Sequence, residues 1–173
     1  MPHTTAAHAP APALSRSPAG RHTLIIAGPG KPGEAELRHR IAEDVMPDVV
    51  SAEDAVGATL CDDRYVAALR GVRGAVLRRL PLLAAQAIEA LVQARRYDAI
   101  LSWGDRPAIV VGTVLRLRRR RASHVAILMW PSKTKKAALL RHALPGIDRY
   151  IVWPPLQRRF VEECLGVPAS RFT

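Results

Sequence analysis

The chain has 173 residues, 26 Lys and Arg against 15 Asp and Glu, a formal net charge of +11, and 49% apolar with 24% charged residues. That mix is globular rather than disordered, and the length suits one domain with a real core. There is no run of about 18 apolar residues, no secretory signal pattern, and no Cys or His cluster around Cys61 or Cys164. A spanning helix, export, a disulfide scaffold and a metal site are therefore not expected, and the reading is a reduced, cytoplasmic protein.

Residues 1–21 are rich in Ala, Pro, Ser and Thr without an apolar period, the composition of a disordered leader. The domain then runs over 22–173. Thr23-Leu24-Ile25-Ile26-Ala27 reads as a strand, closed by the turn-rich Gly28-Pro29-Gly30-Lys31-Pro32-Gly33. A helix with Glu34 and Glu36 in its first turn follows and stops at Pro47. A short strand is expected near Val49-Val50 and a helix over Asp63–Arg70. From Pro81 a helix buries Leu83, Ala84, Ala87, Ile88 and Leu91 and ends at Arg95-Arg96. Ala99-Ile100-Leu101-Ser102-Trp103 is a strand ended by Gly104, and Asp105 caps the next helix, with Pro107 in its first turn.

The unit recurs. His124–Trp130 is a strand, with His124 in a structural role, and Pro131-Ser132 starts a helix stopped by Pro145-Gly146. Asp148–Trp153 is a strand, and Pro154-Pro155 opens a helix burying Leu156, Phe160 and Cys164, with Gly166 ending it in a left-handed turn. Strand and helix alternating about every 25 residues demand parallel strands with right-handed crossovers. Continuous apolar runs mean that the strands are covered on both faces. The expected fold is α/β, a three-layer, Rossmann-like, mostly parallel sheet with helices on both faces.

Of the 26 basic residues 22 are Arg, and 13 of these lie between Arg64 and Arg121 against only Glu89, Asp98 and Asp105. The run Arg116, Arg118, Arg119, Arg120 and Arg121 has three readings: a solvated helix end, a patch for anionic lipid headgroups, or a nucleic-acid contact. No aromatics interleave the run, so nucleic acid is not the expected partner.

Trp103, Trp130 and Trp153 are the only tryptophans and each closes an expected strand. In a parallel sheet those ends share one edge, where ligands bind. An indole face suits a sugar ring or a base, or it packs under a loop. Gly28, Gly30, Lys31 and Gly33 would let backbone N–H groups approach a phosphate, although the run is neither a Walker A loop nor G-x-G-x-x-G. Ser102, Asp105 and Arg106 follow one strand, and Ser132, Lys133, Lys135 and Lys136 another, with Asp105 and Ser132 also readable as caps. Lysines at a helix N-terminus oppose the macrodipole, which points to an anionic partner.

From Tyr97-Asp98-Ala99-Ile100-Leu101 onward the chain resembles the N-terminal domain of two-domain glycosyltransferases with the B-type fold, family four. The resemblance continues through His124-Val125-Ala126-Ile127, Lys135–Arg141 and Ile147–Val152, and closes with Gln157-Arg158-Arg159-Phe160 and Leu165-Gly166-Val167-Pro168-Ala169-Ser170-Arg171-Phe172. It covers residues 76–173 well and 22–75 loosely. Pro154-Pro155 and Pro131-Ser132 stand where family members often carry Ser and His. The resemblance implies transfer of a sugar from a nucleotide-sugar to the hydroxyl of a sugar or lipid-linked acceptor. It gives this chain the acceptor side of an interdomain cleft and the donor site to a second domain not present after Thr173. No cofactor is expected in this chain, nucleotide-sugar is the donor of the full enzyme, and the chain alone is expected to be incomplete. The Arg run would hold it on the inner face of an anionic membrane. The alternative is a standalone basic α/β module binding nucleic acid or an anionic membrane.

Overall fold

The computed structural model describes residues 22–28, 39, 43, 49–117, 122–153 and 155–173. The expected leader, the loop and helix over 29–47 and Arg118–Arg121 lie outside the described residues, the isolated residues 39 and 43 excepted.

Five strands form one sheet: β1 (Thr23–Ala27), β2 (Thr59–Cys61), β3 (Ala99–Trp103), β4 (Ser123–Leu128) and β5 (Arg149–Val152), in the order β2-β1-β3-β4-β5. Every pairing is parallel. β1 and β3 have the bounds their apolar runs predict. β4 and β5 stop short of Trp130 and Trp153, which lie in the loops beyond them.

Seven α-helices are described: α1 (Val49–Val56), α2 (Asp63–Ala68), α3 (Gly71–Leu77), α4 (Leu82–Gln93), α5 (Asp105–Leu115), α6 (Thr134–Ala143) and α7 (Pro155–Glu163). Val49-Val50 therefore begins a helix and not a strand. Val49 packs with Ala52 against Ile25 and Ala27, three residues apart as one helical face requires. Gly57, at φ +61°, lets the chain turn back into the three-residue β2.

Parallel register sorts the side chains by face. Leu24, Ile26, Cys61 and Ile100 meet α2, α3, α4 and α5 through Val66, Leu77, Ala85, Ala90, Val111 and Leu115. Further along the same face Ala126, Leu128 and Tyr150 meet Leu140 and Ala143 of α6 and Val161 of α7. Ile25, Ala27, Leu101 and Trp103 point to the other face, where α1 lies. Two helical layers thus sandwich one parallel sheet, a Rossmann-like three-layer architecture. Among the described residues no helix is long and apolar enough to cross a membrane.

Two buried helix faces differ from expectation. α4 buries Ala85, Gln86, Ala87, Glu89, Ala90 and Gln93, while Ile88 is 38% exposed. Alanines let the helix backbone approach the sheet, and the polar side chains on that face are held by specific bonds. On α7 the buried residues are Gln157 and Val161, whereas Leu156 and Cys164 are exposed. Gly166 does adopt the left-handed conformation, φ +71°.

Burial, followed by the nearby charges of Glu89 and Asp62, pushes the Cys61 thiol up to about 12. The thiolate is the reactive form, so Cys61 stays inert at about pH 8 while exposed Cys164 reacts. Titration with a thiol-exchange chromophore should count one thiol in the native protein and two in denaturant. Two fast native thiols would mean that the β2 edge is open.

Candidate functional site

Strand order β2-β1-β3 defines a topological switch: the chain leaves β1 for β2 on one side, then returns past β1 to build β3, β4 and β5 on the other. In open parallel sheets the ligand crevice lies beyond the carboxyl ends of the strands at such a point, here after β1 and β3. At that edge Ala27 and Trp103 are direct register partners. Half-buried Gly28 and Gly104 are the first residues of the two loops. Gly104 has φ +108°, a conformation side chains resist, and its N–H donates to Ile127 O at 3.1 Å. Gly30, Lys31 and Gly33 lie outside the described residues.

Gln86, absent from the sequence-based candidates, fixes the neighbouring strand ends. Its side chain is fully buried, and Nε2 donates to Ala27 O at 2.7 Å and Cys61 O at 2.6 Å, tying the ends of β1 and β2 together. One turn on, buried Glu89 accepts from Tyr65 Oη at 3.0 Å and Gln93 Nε2 at 2.8 Å on Oε1, while Oε2 faces Arg73 Nε at 3.6 Å. Burial and the bond to Glu89 raise the Tyr65 phenol above its ordinary range. The only sequence signal for this cluster is polar residues spaced three and four apart within an Ala-rich helix.

Asp105 is the first residue of α5, not its cap; Gly104 holds the cap position. The Asp105 carboxylate is 4% exposed and crosses to the loop after β4. Oδ1 accepts from Met129 N at 2.9 Å, Oδ2 accepts from Trp130 N at 3.2 Å, and Oδ2 pairs with Lys136 Nζ. The anionic partner expected for these lysines is, for Lys136, this internal carboxylate. Lys133 holds the N-cap position of α6 without a capping side chain, and Lys133 and Lys135 are exposed. Ser132 does not cap α6 either. It is exposed, and its N–H donates to Oε1 of buried Gln157 at 3.1 Å. Arg106 is exposed at the start of α5.

Ser102 does not reach the crevice. It alternates with Trp103 along β3, so its side chain enters the helical layer and is fully buried. Its Oγ lies 2.8 Å from His124 Nε2, and His124 Nδ1 lies 2.8 Å from Gly146 O. A carbonyl only accepts, so Nδ1 carries a proton, and in the neutral imidazole Ser102 donates to Nε2. Hydroxyl, imidazole and carbonyl form a sealed relay that ties β3, β4 and the turn after α6 together, which agrees with a structural His124.

The three tryptophans do share the carboxyl edge. Trp103 is half-buried against Ile25, Ala27 and Val49, whereas Trp130 and Trp153 are 54% and 75% exposed. Arg116 is elsewhere: it caps the other end of α5 and its Nη1 donates to His142 O at 3.0 Å, so it serves a helix–helix contact. Among the described residues no group of three His, Cys, Asp or Glu could hold a metal ion. Compared with known proteins, the chain matches no family model, no curated protein and no solved structure.

Proposed function

We propose that this chain is the acceptor-binding domain of a two-domain glycosyltransferase that moves a sugar from a nucleotide-sugar to an acceptor hydroxyl. The observation that carries the reading is the switch point after β1 and β3, where Ala27 and half-buried Trp103 are register partners at the carboxyl edge and a glycine opens each following loop. A half-buried aromatic ring at that edge, beside glycines that carry no side chain, suits a sugar ring, which needs C–H stacking and close backbone approach. The resemblance of residues 76–173 to such domains supports the same assignment. In the reaction the acceptor oxygen forms a bond to the anomeric carbon, and the bond from that carbon to the diphosphate breaks. The nucleoside diphosphate leaves with the electron pair, and the acceptor proton passes to a base. Donor and leaving group belong to the second domain of such enzymes, so binding is the activity to measure on these residues.

In a Trp130→Phe, Trp153→Phe background, Trp103 is the remaining indole. Titration with a panel of mono- and disaccharides should quench or shift its emission saturably, and Gly28→Val should weaken that response by roughly tenfold, since a side chain there narrows the crevice. A flat response across the panel, with no sugar transfer by the natural gene product, would remove the proposal.

A further inference from the structure

Met129 and Trp130 after β4, Trp153 after β5 and Leu156 in the first turn of α7 are 38%, 54%, 75% and 71% exposed. They are neighbours. Trp153 N donates to Leu128 O at 3.0 Å, and Ser132 N donates to Gln157 Oε1 at 3.1 Å, which locks the two loops side by side. The result is two indoles, a thioether and a leucine exposed on adjoining loops at one rim of the sheet, hereafter the ridge. Exposed cations stand on the same and adjoining segments: Arg106 in the first turn of α5, Lys133 and Lys135 at the start of α6, and Arg159 on α7. Among the carboxylates nearby, Asp105 is buried and paired with Lys136, Glu162 pairs with Arg158, and Glu163 is exposed at the far end of α7. Contiguous exposed apolar surface marks a contact site, and indoles beside lysines are the composition of a bilayer interface.

We propose that this ridge docks the protein on an anionic lipid surface, with Trp130, Trp153, Met129 and Leu156 entering the headgroup layer and the four cations meeting the phosphates. The occupant follows from the chemistry of the patch. Polyanionic single strands would use the indoles and cations but have no use for Leu156 and Met129. A lipid interface uses all of them. The ridge also competes with the Arg run as a docking surface. Arg116 sits at the opposite end of α5, beside the start of β4, and the five residues of β3 separate the two rims by about 17 Å. One flat membrane cannot meet both.

The test uses the full chain with vesicles of phosphatidylcholine alone or mixed with phosphatidylglycerol. The expected result is a blue shift of tryptophan emission and co-sedimentation with the anionic vesicles only, reversed by high salt. Lys133→Glu with Lys135→Glu leaves both indoles in place and should weaken partitioning by roughly tenfold or more. Trp130→Ser with Leu156→Ser, checked for folding by circular dichroism, should abolish co-sedimentation. Four results would overturn the proposal: no shift with anionic vesicles, a stronger response to oligouridylate, a shift that tracks protein concentration without vesicles, or binding lost only when Arg118–Arg121 are replaced. The vesicles carry no sugar, so this outcome and that of the saccharide titration are independent.

Discussion

Asp105→Ala should lower stability by about 3–5 kcal/mol and the melting temperature by on the order of 10 °C, read by thermal unfolding. The cost is not that of one lost contact. The carboxylate is 4% exposed and serves Met129 N–H, Trp130 N–H and Lys136 Nζ together. Removing it leaves two amides without their acceptor and a partly covered ammonium without its counter-ion, and an unpaired charge is worse than no charge. Asp105→Asn keeps an acceptor for the loop amides and should lose only about 1–3 kcal/mol. Adding Lys136→Met to Asp105→Ala should recover part of the loss, because the orphaned cation goes with it. The same bonds hold the loop that carries Trp130, so the Ala variant should also blunt the vesicle response. A melting temperature within about 2 °C of the parent would show that the clasp contributes little.

The clasp also marks where sequence reasoning stops. β1 and β3 were legible because each is a five-residue apolar run closed by glycine, Gly28 and Gly104, and the edge they share followed from parallel strands. β2 was not, because Thr59-Leu60-Cys61 is too short to carry a period and the β-branched pair Val49-Val50 before it imitates a strand. On α4 the apolar residues run almost all round, so hydropathy could not choose the face. Backbone approach chose it, through Ala85 and Ala90, and strand-end carbonyls accept from Gln86. At the site, the position of all three indoles was legible but not their exposure. Ser102 reads as a site residue because it stands with Asp105 and Arg106 at the end of a strand, yet alternation along β3 sends its side chain into the helical layer. The Asp105–Lys136 pair spans 31 positions and has no local pattern at all.

Gly146→Ala should be the most damaging glycine-to-alanine change among the described residues, costing roughly 3 kcal/mol or more and lowering the urea midpoint to match. A Cβ at residue 146 would sit 1.8 Å from Gly112 O and 3.0 Å from Arg116 N, all backbone atoms that cannot rotate aside. α5 and the turn after α6 cross there with glycine on both sides, which is how the two approach so closely. Any shift that relieves the clash also moves Gly146 O, the acceptor for His124 Nδ1, and so loosens the buried bond between His124 and Ser102. Damage should therefore spread from the buried glycine of that turn into the centre of the sheet. Gly112→Ala meets its nearest neighbours at 3.0 Å, including the movable Ile147 side chain, and should cost less. Gly28→Ala finds nothing within 4 Å and sets the baseline near zero. The order of the three variants is the check. If Gly146→Ala unfolds no more easily than Gly28→Ala, the close crossing of α5 over that turn is not how this chain packs.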